Sequence, residues 1–119
     1  MLAREFRLTR RAVPIVLKRG SRLHTSLFSV IVQPCYLSKP RFTVVVSNKQ
    51  INHAPRRARV KRRLRAMIQL VFFQSTLLSK YDCIFLAKPA VETTGWQELV
   101  ATGNEIFTRL HHLGTKTTD

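Results

Sequence analysis

The stretch that decides the fold is residues 44–71, VVVSNKQINHAPRRARVKRRLRAMIQLV. It opens with β-branched residues typical of a strand and continues through a polar loop to Pro55, a residue tolerated in the first turn of a helix. Beyond Pro55 apolar residues recur at the helical period. They are Val60, Leu64, Met67, Ile68 and Val71. We therefore predict a strand, a loop and an amphipathic helix, in that order.

The polar side of this helix is strongly basic. Eight of the seventeen residues from Lys49 to Arg65 are Lys or Arg, and none is acidic. At about 100° per residue, Arg62 lies opposite the apolar stripe, with Arg59 and Arg65 on its flanks. A solvated charged face is the usual explanation of modest charge runs, but here no acid compensates the cations. We expect this face to bind a polyanion, and RNA in preference to DNA.

The charge of the whole chain is unevenly distributed. The formal net charge is +15, and residues 1–81 contain 18 Lys and Arg against one acid. Residues 82–119 contain 3 Lys and Arg against 5 acids. With 119 residues, 45% of them apolar, we expect one RNA-binding domain, residues 1–119, with a core over about residues 6–113. No apolar stretch approaches the ~20 residues of a membrane span, so we expect a cytoplasmic protein without a membrane partner.

Besides the basic helix, the chain predicts five elements, one of which is the strand already described before that helix. Short runs rich in β-branched and aromatic residues indicate strands, and apolar residues at i, i+3 and i+4 indicate helices. They are a helix within 8–20, ended by Gly20, strands at 27–32, 41–47 and 83–87, and a helix over roughly 95–113. The first two strands are expected to pair antiparallel, because their connection is too short for a crossover helix. The order α-β-β-α-β-α predicts a small two-layer α/β sandwich, with one face of the sheet open for binding.

The sequence offers little for catalysis by protein side chains. No Ser-His-Asp or Cys-His order stands out among the four histidines, and the four glycines are too scattered for a phosphate loop. His111 and His112 are adjacent, so on a helix they would point about 100° apart and not form a metal pair. Cys35 and Cys83 are too few for a disulfide framework or a metal cluster, and we expect buried thiols. We predict no catalytic residue and no metal ligand in the protein.

Four segments occur in a fixed order along the chain. They are Arg7-Leu8 before the helix that ends at Gly20, Phe28 at the start of a strand, Val44–Lys49 followed after seven residues by Arg57–Arg65, and Tyr81–Pro89. The basic segment alone is a moderately specific indication of a protein family, and the four segments in this order are a much more specific one. This set resembles the bacterial ribonuclease P protein component over nearly the whole chain.

The resemblance implies a fold and a function. The fold would be an α/β sandwich whose β-α-β crossover is left-handed, against the general rule of right-handed crossovers. The protein would be a subunit of ribonuclease P, an RNA-based endoribonuclease that removes the 5′ leader of precursor tRNA. Its partners would be the catalytic RNA, which uses Mg²⁺ for the chemistry, and precursor tRNA. The protein would contact the leader, supply no nucleophile, and be monomeric in the holoenzyme.

The resemblance also implies two sets of site residues. The catalytic RNA would be bound by basic residues of the long helix, namely Arg57, Arg59, Lys61, Arg62, Arg63 and Arg65. The single-stranded leader would lie in a cleft between the first helix and the sheet, lined by Val13, Leu17, Phe28, Ile31, Ser47 and Lys49.

Several positions depart from the family pattern. Ala58 replaces the Asn of the family's Arg-Asn-Arg motif, and Thr43 stands where glycine is common. Val13, Leu17 and Ile31 stand where the family usually carries aromatic residues. Stacking of a base on an aromatic side chain is worth ~1–3 kcal/mol, which aliphatic side chains do not provide. We therefore expect a leader grip that is weaker or that depends more on charge.

Two other functions remain open from the sequence. A general RNA-binding or ribosomal protein without a processing role would explain the charge and size, but not the ordered motifs. A DNA-binding regulator would place the basic helix in the major groove, yet neither helix-turn-helix spacing nor a dimerisation heptad is present. Preference for precursor over mature tRNA would distinguish a ribonuclease P subunit from a general RNA-binding protein. Specific binding of duplex DNA would favour the DNA-binding regulator.

Overall fold

The computed structural model describes residues 8, 9, 11–34, 41–47, 49–72 and 81–117, the last seven by their backbone alone. Its elements, in chain order, are α1 (Ala12–Arg19), β1 (Ser21–His24), β2 (Phe28–Pro34), β3 (Arg41–Val45), α2 (Ala54–Phe72), β4 (Tyr81–Ala87), a 3-10 helix (Pro89–Glu92) and α3 (Trp96–Thr117). A four-stranded sheet with three α-helices confirms the predicted α/β class. β1 was not predicted.

The strand order corrects one sequence-based prediction. The sheet runs β1-β2-β4-β3, so β2 and β3 are not paired with each other. β4 lies between them, antiparallel to β2 and parallel to β3. β4 takes the central position because nearly all of its side chains are buried on both faces of the sheet. β3, α2 and β4 together form the β-α-β unit for which the resemblance implies a left-handed crossover.

The main core lies between one face of the sheet and helices α2 and α3. All five apolar residues of the predicted stripe on α2 are buried. The ring of Phe85 on β4 lies 5.7 Å from that of Phe28, 5.9 Å from that of Phe42 and 5.5 Å from that of Phe72. On α3 a side chain at Gly103 would collide with the thioether of Met67, so this glycine allows α3 to approach α2 closely.

The opposite face of the sheet is partly covered by α1. Val16 packs against Ile31 of β2 and Ile84 of β4, and Leu8 joins this smaller cluster. The helix ends before Gly20 as predicted, and Gly20 has an extended backbone. Position 20 requires glycine because a Cβ there would stand 2.5 Å from the Ile31 side chain and 2.6 Å from the Val16 carbonyl oxygen. α1 therefore lies tightly against the sheet at its C-terminal end.

An ion pair joins the parallel strands on this same face. Arg41 and Asp82 are register partners on β3 and β4. The Arg41 Nε and Nη2 atoms donate to the two Asp82 carboxylate oxygens at 2.9 and 2.7 Å. Because Asp82 is buried, this fork-like pairing satisfies a carboxylate that would otherwise be costly to desolvate. Cys83 is buried as predicted, and Cys35 lies outside the described residues.

Candidate nucleic-acid interface

The outer surface of α2 carries the cations predicted to bind RNA. Arg62 and Arg65 line a shallow groove with Ala66 and Gln69, on the side of the helix facing away from the core. Within the described part of the chain, no hydrogen bond to protein is formed by Arg59, Lys61, Arg62 or Arg65. Their donors are therefore available to phosphate oxygens, which suits the planar guanidinium fork in particular.

Arg57 has a local structural contact as well. Its Nη1 atom donates to the Ile51 carbonyl oxygen at 2.9 Å. Ile51 is itself buried, and its backbone N–H donates to the Ser47 carbonyl oxygen at 3.0 Å. The Lys49 N–H donates to Ser47 Oγ at 3.1 Å. The loop before α2 thus brings Ser47, Lys49 and Arg57, three of the predicted site residues, to one end of the helix.

Arg63 differs from its neighbours, and the structure argues against the predicted RNA contact. Its guanidinium donates to the carbonyl oxygens of Val91 at 2.5 Å, Glu92 at 3.3 Å and Thr94. At about 100° per residue, Arg63 lies on the flank of α2 that faces the 3-10 helix, not on the outer side. Its donors are largely occupied by protein, so Arg63 fastens the 3-10 helix to α2.

The open face of the sheet, where the leader is predicted to bind, has a depression beside the loop that precedes α2. The pairing registers align four side chains in one row across all four strands, namely His24, Ser29, Leu86 and Val45. A depression at this end is lined by Ser29, Val45, Ser47, Gln50, Leu86, Ala87 and Lys88. His24 Nδ1 and Ser29 Oγ lie 2.9 Å apart. Ser29 is buried and the Lys88 ammonium donates to the Thr25 carbonyl oxygen, so the open part of this surface is formed mainly by Val45, Ser47 and Gln50.

The predicted cleft residues are only partly brought together here. Ser47 lines the depression, Lys49 is exposed nearby, and Leu17 on α1 is 44% exposed. Val13 is half-buried against the cluster under α1, and Ile31 is buried beneath that helix. Phe28 is a correction. Side chains alternate along β2, and Phe28 is fully buried on the face that packs against α2 and α3, so it does not line the cleft.

Some residues at the interface were missed by sequence reasoning. Val45, Leu86 and Lys88 enter the cleft through the strand order, which the sequence did not reveal. Arg56 and Glu92 form an ion pair across 36 residues, with no local signal. The hydrogen bond from Arg56 holds the pKa of Glu92 below its ordinary value, and the same bond raises the pKa of Arg56.

None of the helices in the described part of the chain is both long enough and apolar enough to cross a membrane. No three His, Cys, Asp or Glu side chains lie together there as a metal site would need. The histidine pair at 111 and 112 has no described side chains.

Comparison with known proteins supports the resemblance. The sequence model of the family described as Ribonuclease P matches residues 2–111. The RNase P protein of Staphylococcus aureus superposes with a TM-score of 0.72 at 18% identity, covering 87% of this chain and 93% of that one. The RNase P protein from Thermotoga maritima gives a TM-score of 0.68 at 20% identity, covering 87% and 94%. No curated protein sequence matches significantly. With nearly its whole length matched, the chain belongs to the ribonuclease P protein family.

Proposed function

We propose that this protein binds the ribonuclease P RNA through the outer face of α2 and the 5′ leader of precursor tRNA in the cleft between α1 and the sheet. Membership of the family makes it a tRNA 5′ maturation subunit. The observation that carries the finer assignment is the set of cations on α2 that form no hydrogen bond to protein among the described residues, Arg59, Lys61, Arg62 and Arg65. Such a set addresses several backbone phosphates at once.

In this proposal the RNA subunit carries the hydrolysis and holds the Mg²⁺ that the reaction uses. Two of the protein's carboxylates are held by arginine and fit this division of roles. Asp82 accepts two hydrogen bonds from Arg41, and Glu92 accepts two from Arg56. Oxygen atoms engaged by arginine are poor candidates for Mg²⁺ ligands, whereas RNA phosphates offer hard oxygen ligands. The protein then contributes by binding the RNA subunit and the substrate, as a monomer in the cytoplasm.

The cleft would hold the leader by shape and charge more than by stacking. Leu17 and Val45, 44% and 40% exposed, offer apolar surface to the faces of bases. The Ser47 hydroxyl and the exposed Lys49 ammonium supply polar and cationic groups for the backbone. Stacking on an aromatic ring would add ~1–3 kcal/mol per base. The leader grip is therefore expected to depend strongly on salt.

The test is cleavage of a 5′-labelled precursor tRNA at low Mg²⁺ by a bacterial ribonuclease P RNA, with and without the protein. We expect the protein to stimulate cleavage, and the triple variant Arg59→Gln, Arg62→Gln, Arg65→Gln to lose the stimulation while remaining folded. These three side chains make no hydrogen bond to the described protein, so thermal unfolding should change little. Equal binding of precursor and mature tRNA, without stimulation, would instead favour a general RNA-binding protein.

A further inference from the structure

The carboxylate of Glu92 lies among cations at the start of α2. Its two oxygens accept hydrogen bonds from Arg56 Nε and Nη2, both at 2.5 Å. Electrostatic interactions with Arg59 and His53 also lower the pKa of this carboxylate, and all three residues stand on or just before the first turns of the helix. In a strongly cationic protein, an anion therefore already occupies one of the basic sites.

The protein holds this carboxylate in place through the backbone. Val91, next in the chain, is fully buried, and Arg63 donates to the carbonyl oxygens of both Val91 and Glu92. Residues 56, 59 and 63 are spaced i, i+3 and i+7, so their side chains share one flank of α2. Arg63 fixes the 3-10 helix at one end of that flank. Glu92 consequently reaches Arg56 from a rigid support.

The geometry resembles the way an arginine binds a phosphate. A guanidinium donates two parallel N–H bonds to two oxygens of a carboxylate, and it does the same to two oxygens of a phosphate. The Arg56 side chain is 50% exposed, so an incoming backbone can approach it from solvent. An ion pair at this degree of exposure contributes little to stability, which makes exchange of one anion for another cheap.

We propose that Arg56, Arg59 and His53 form a phosphate-binding site for RNA, which Glu92 fills in the free protein and yields when RNA binds. The site lies on the flank of α2 nearest the 3-10 helix, whereas Arg62 and Arg65 line the outer groove. Glu92 thus weakens RNA binding by competing for Arg56. The inference rests on the proposed function, because the ligand is the RNA of the ribonuclease P complex.

The test compares Glu92→Gln with a matched control, Glu105→Gln. Both variants remove one negative charge, but Glu105 is exposed on α3 and has no partner among the described residues. Dissociation constants for the ribonuclease P RNA with precursor tRNA are measured over a series of salt concentrations. We expect Glu92→Gln to bind about two- to fivefold more tightly. Because Arg56 reaches the same phosphate in both complexes, the log–log salt slope should stay close to that of the wild type. Glu105→Gln should match the wild type.

A double variant tests whether the gain passes through Arg56. Arg56→Gln combined with Glu92→Gln should lose the added affinity, and its salt slope should be shallower than that of the wild type by about 0.7–0.9, which corresponds to one phosphate contact. If Glu92→Gln behaves like Glu105→Gln, or if the double variant keeps the gain, the competing-carboxylate site is wrong. Wild-type stimulation of precursor cleavage in the same mixture tests the proposed function separately, so either idea can fail while the other stands.

Discussion

Two adjacent arginines of α2 should have opposite effects when replaced. Arg63→Met keeps an aliphatic chain but removes a guanidinium that donates to the carbonyl oxygens of Val91, Glu92 and Thr94. We expect this variant to lose stability and to retain RNA affinity. Arg62→Met removes a guanidinium that lines an exposed groove and has no protein partner among the described residues. We expect it to lose RNA affinity and to retain stability.

The size of the stability loss follows from the contacts. Hydrogen bonds that involve a charged group are worth about 1.5–3 kcal/mol each. Arg63 is half-buried and one of its three bonds is long, at 3.3 Å, so solvent replaces part of the loss. We expect the free energy of unfolding to fall by about 2–4 kcal/mol, or about 8–16 °C in Tm for a chain of this size. For Arg62→Met the free energy of unfolding should change by less than about 0.5 kcal/mol.

The assay pairs urea unfolding with RNA binding at several salt concentrations, for both variants. Arg62→Met should reduce the salt slope by about 0.7–0.9, which corresponds to one phosphate contact. Arg63→Met should leave the slope unchanged at temperatures where it is folded. The reasoning is refuted if Arg63→Met loses RNA affinity and its salt slope while its unfolding curve matches that of the wild type.

Three other changes have defined outcomes. The hydrogen bond from Arg56 keeps the pKa of Glu92 below its ordinary value, so the pair stabilises the fold at neutral pH and this contribution is lost as the pH falls through that lowered pKa. The midpoint of the NMR titration of Glu92 should therefore move upward in Arg56→Gln. Gly103→Ala would force a Cβ into the Met67 thioether and should cost about 1–3 kcal/mol in urea unfolding, whereas Ala101→Ser at an exposed α3 position should not. Leu17→Trp should tighten binding of precursor tRNA by about 1–3 kcal/mol, because the exposed indole can stack on a base of the leader. The gain should vanish for substrates without a leader. A gain that persists with mature tRNA would contradict a leader contact at this position.

The long basic helix could be predicted from the sequence because its evidence is local. Five apolar residues at the helical period identify the buried face, and all five are buried. β1 was missed because its evidence is not local. Ser21–His24 lacks a run of β-branched residues and is defined by its pairing with β2. The strand order was wrong because a short connection permits a hairpin but does not require one, and β4 competes for the place beside β2.

The candidate site shows the same division between local and distant information. β2 is buried on both faces, so its sequence does not reveal that Phe28 points to the main core while Ile31 lies under α1. Charge density correctly located the cationic helix, but it could not separate Arg62 from Arg63. The partners of Arg63 lie 28 to 31 residues away, on a segment that shows no charge pattern of its own.

The order of synthesis gives the central strand a particular importance. β4 is the last strand of the chain and the middle partner of the sheet, so β2 and β3 have no shared neighbour until residues 81–87 have left the ribosome. By then the basic helix α2 has already been made, without the sheet surface on which its apolar stripe packs. A nascent chain that stops before β4 would expose both that stripe and two unsatisfied strand edges. Assembly of the RNA-binding surface is therefore coupled to completion of the sheet, and truncated products are expected to be cleared by proteolysis and not to compete for RNA.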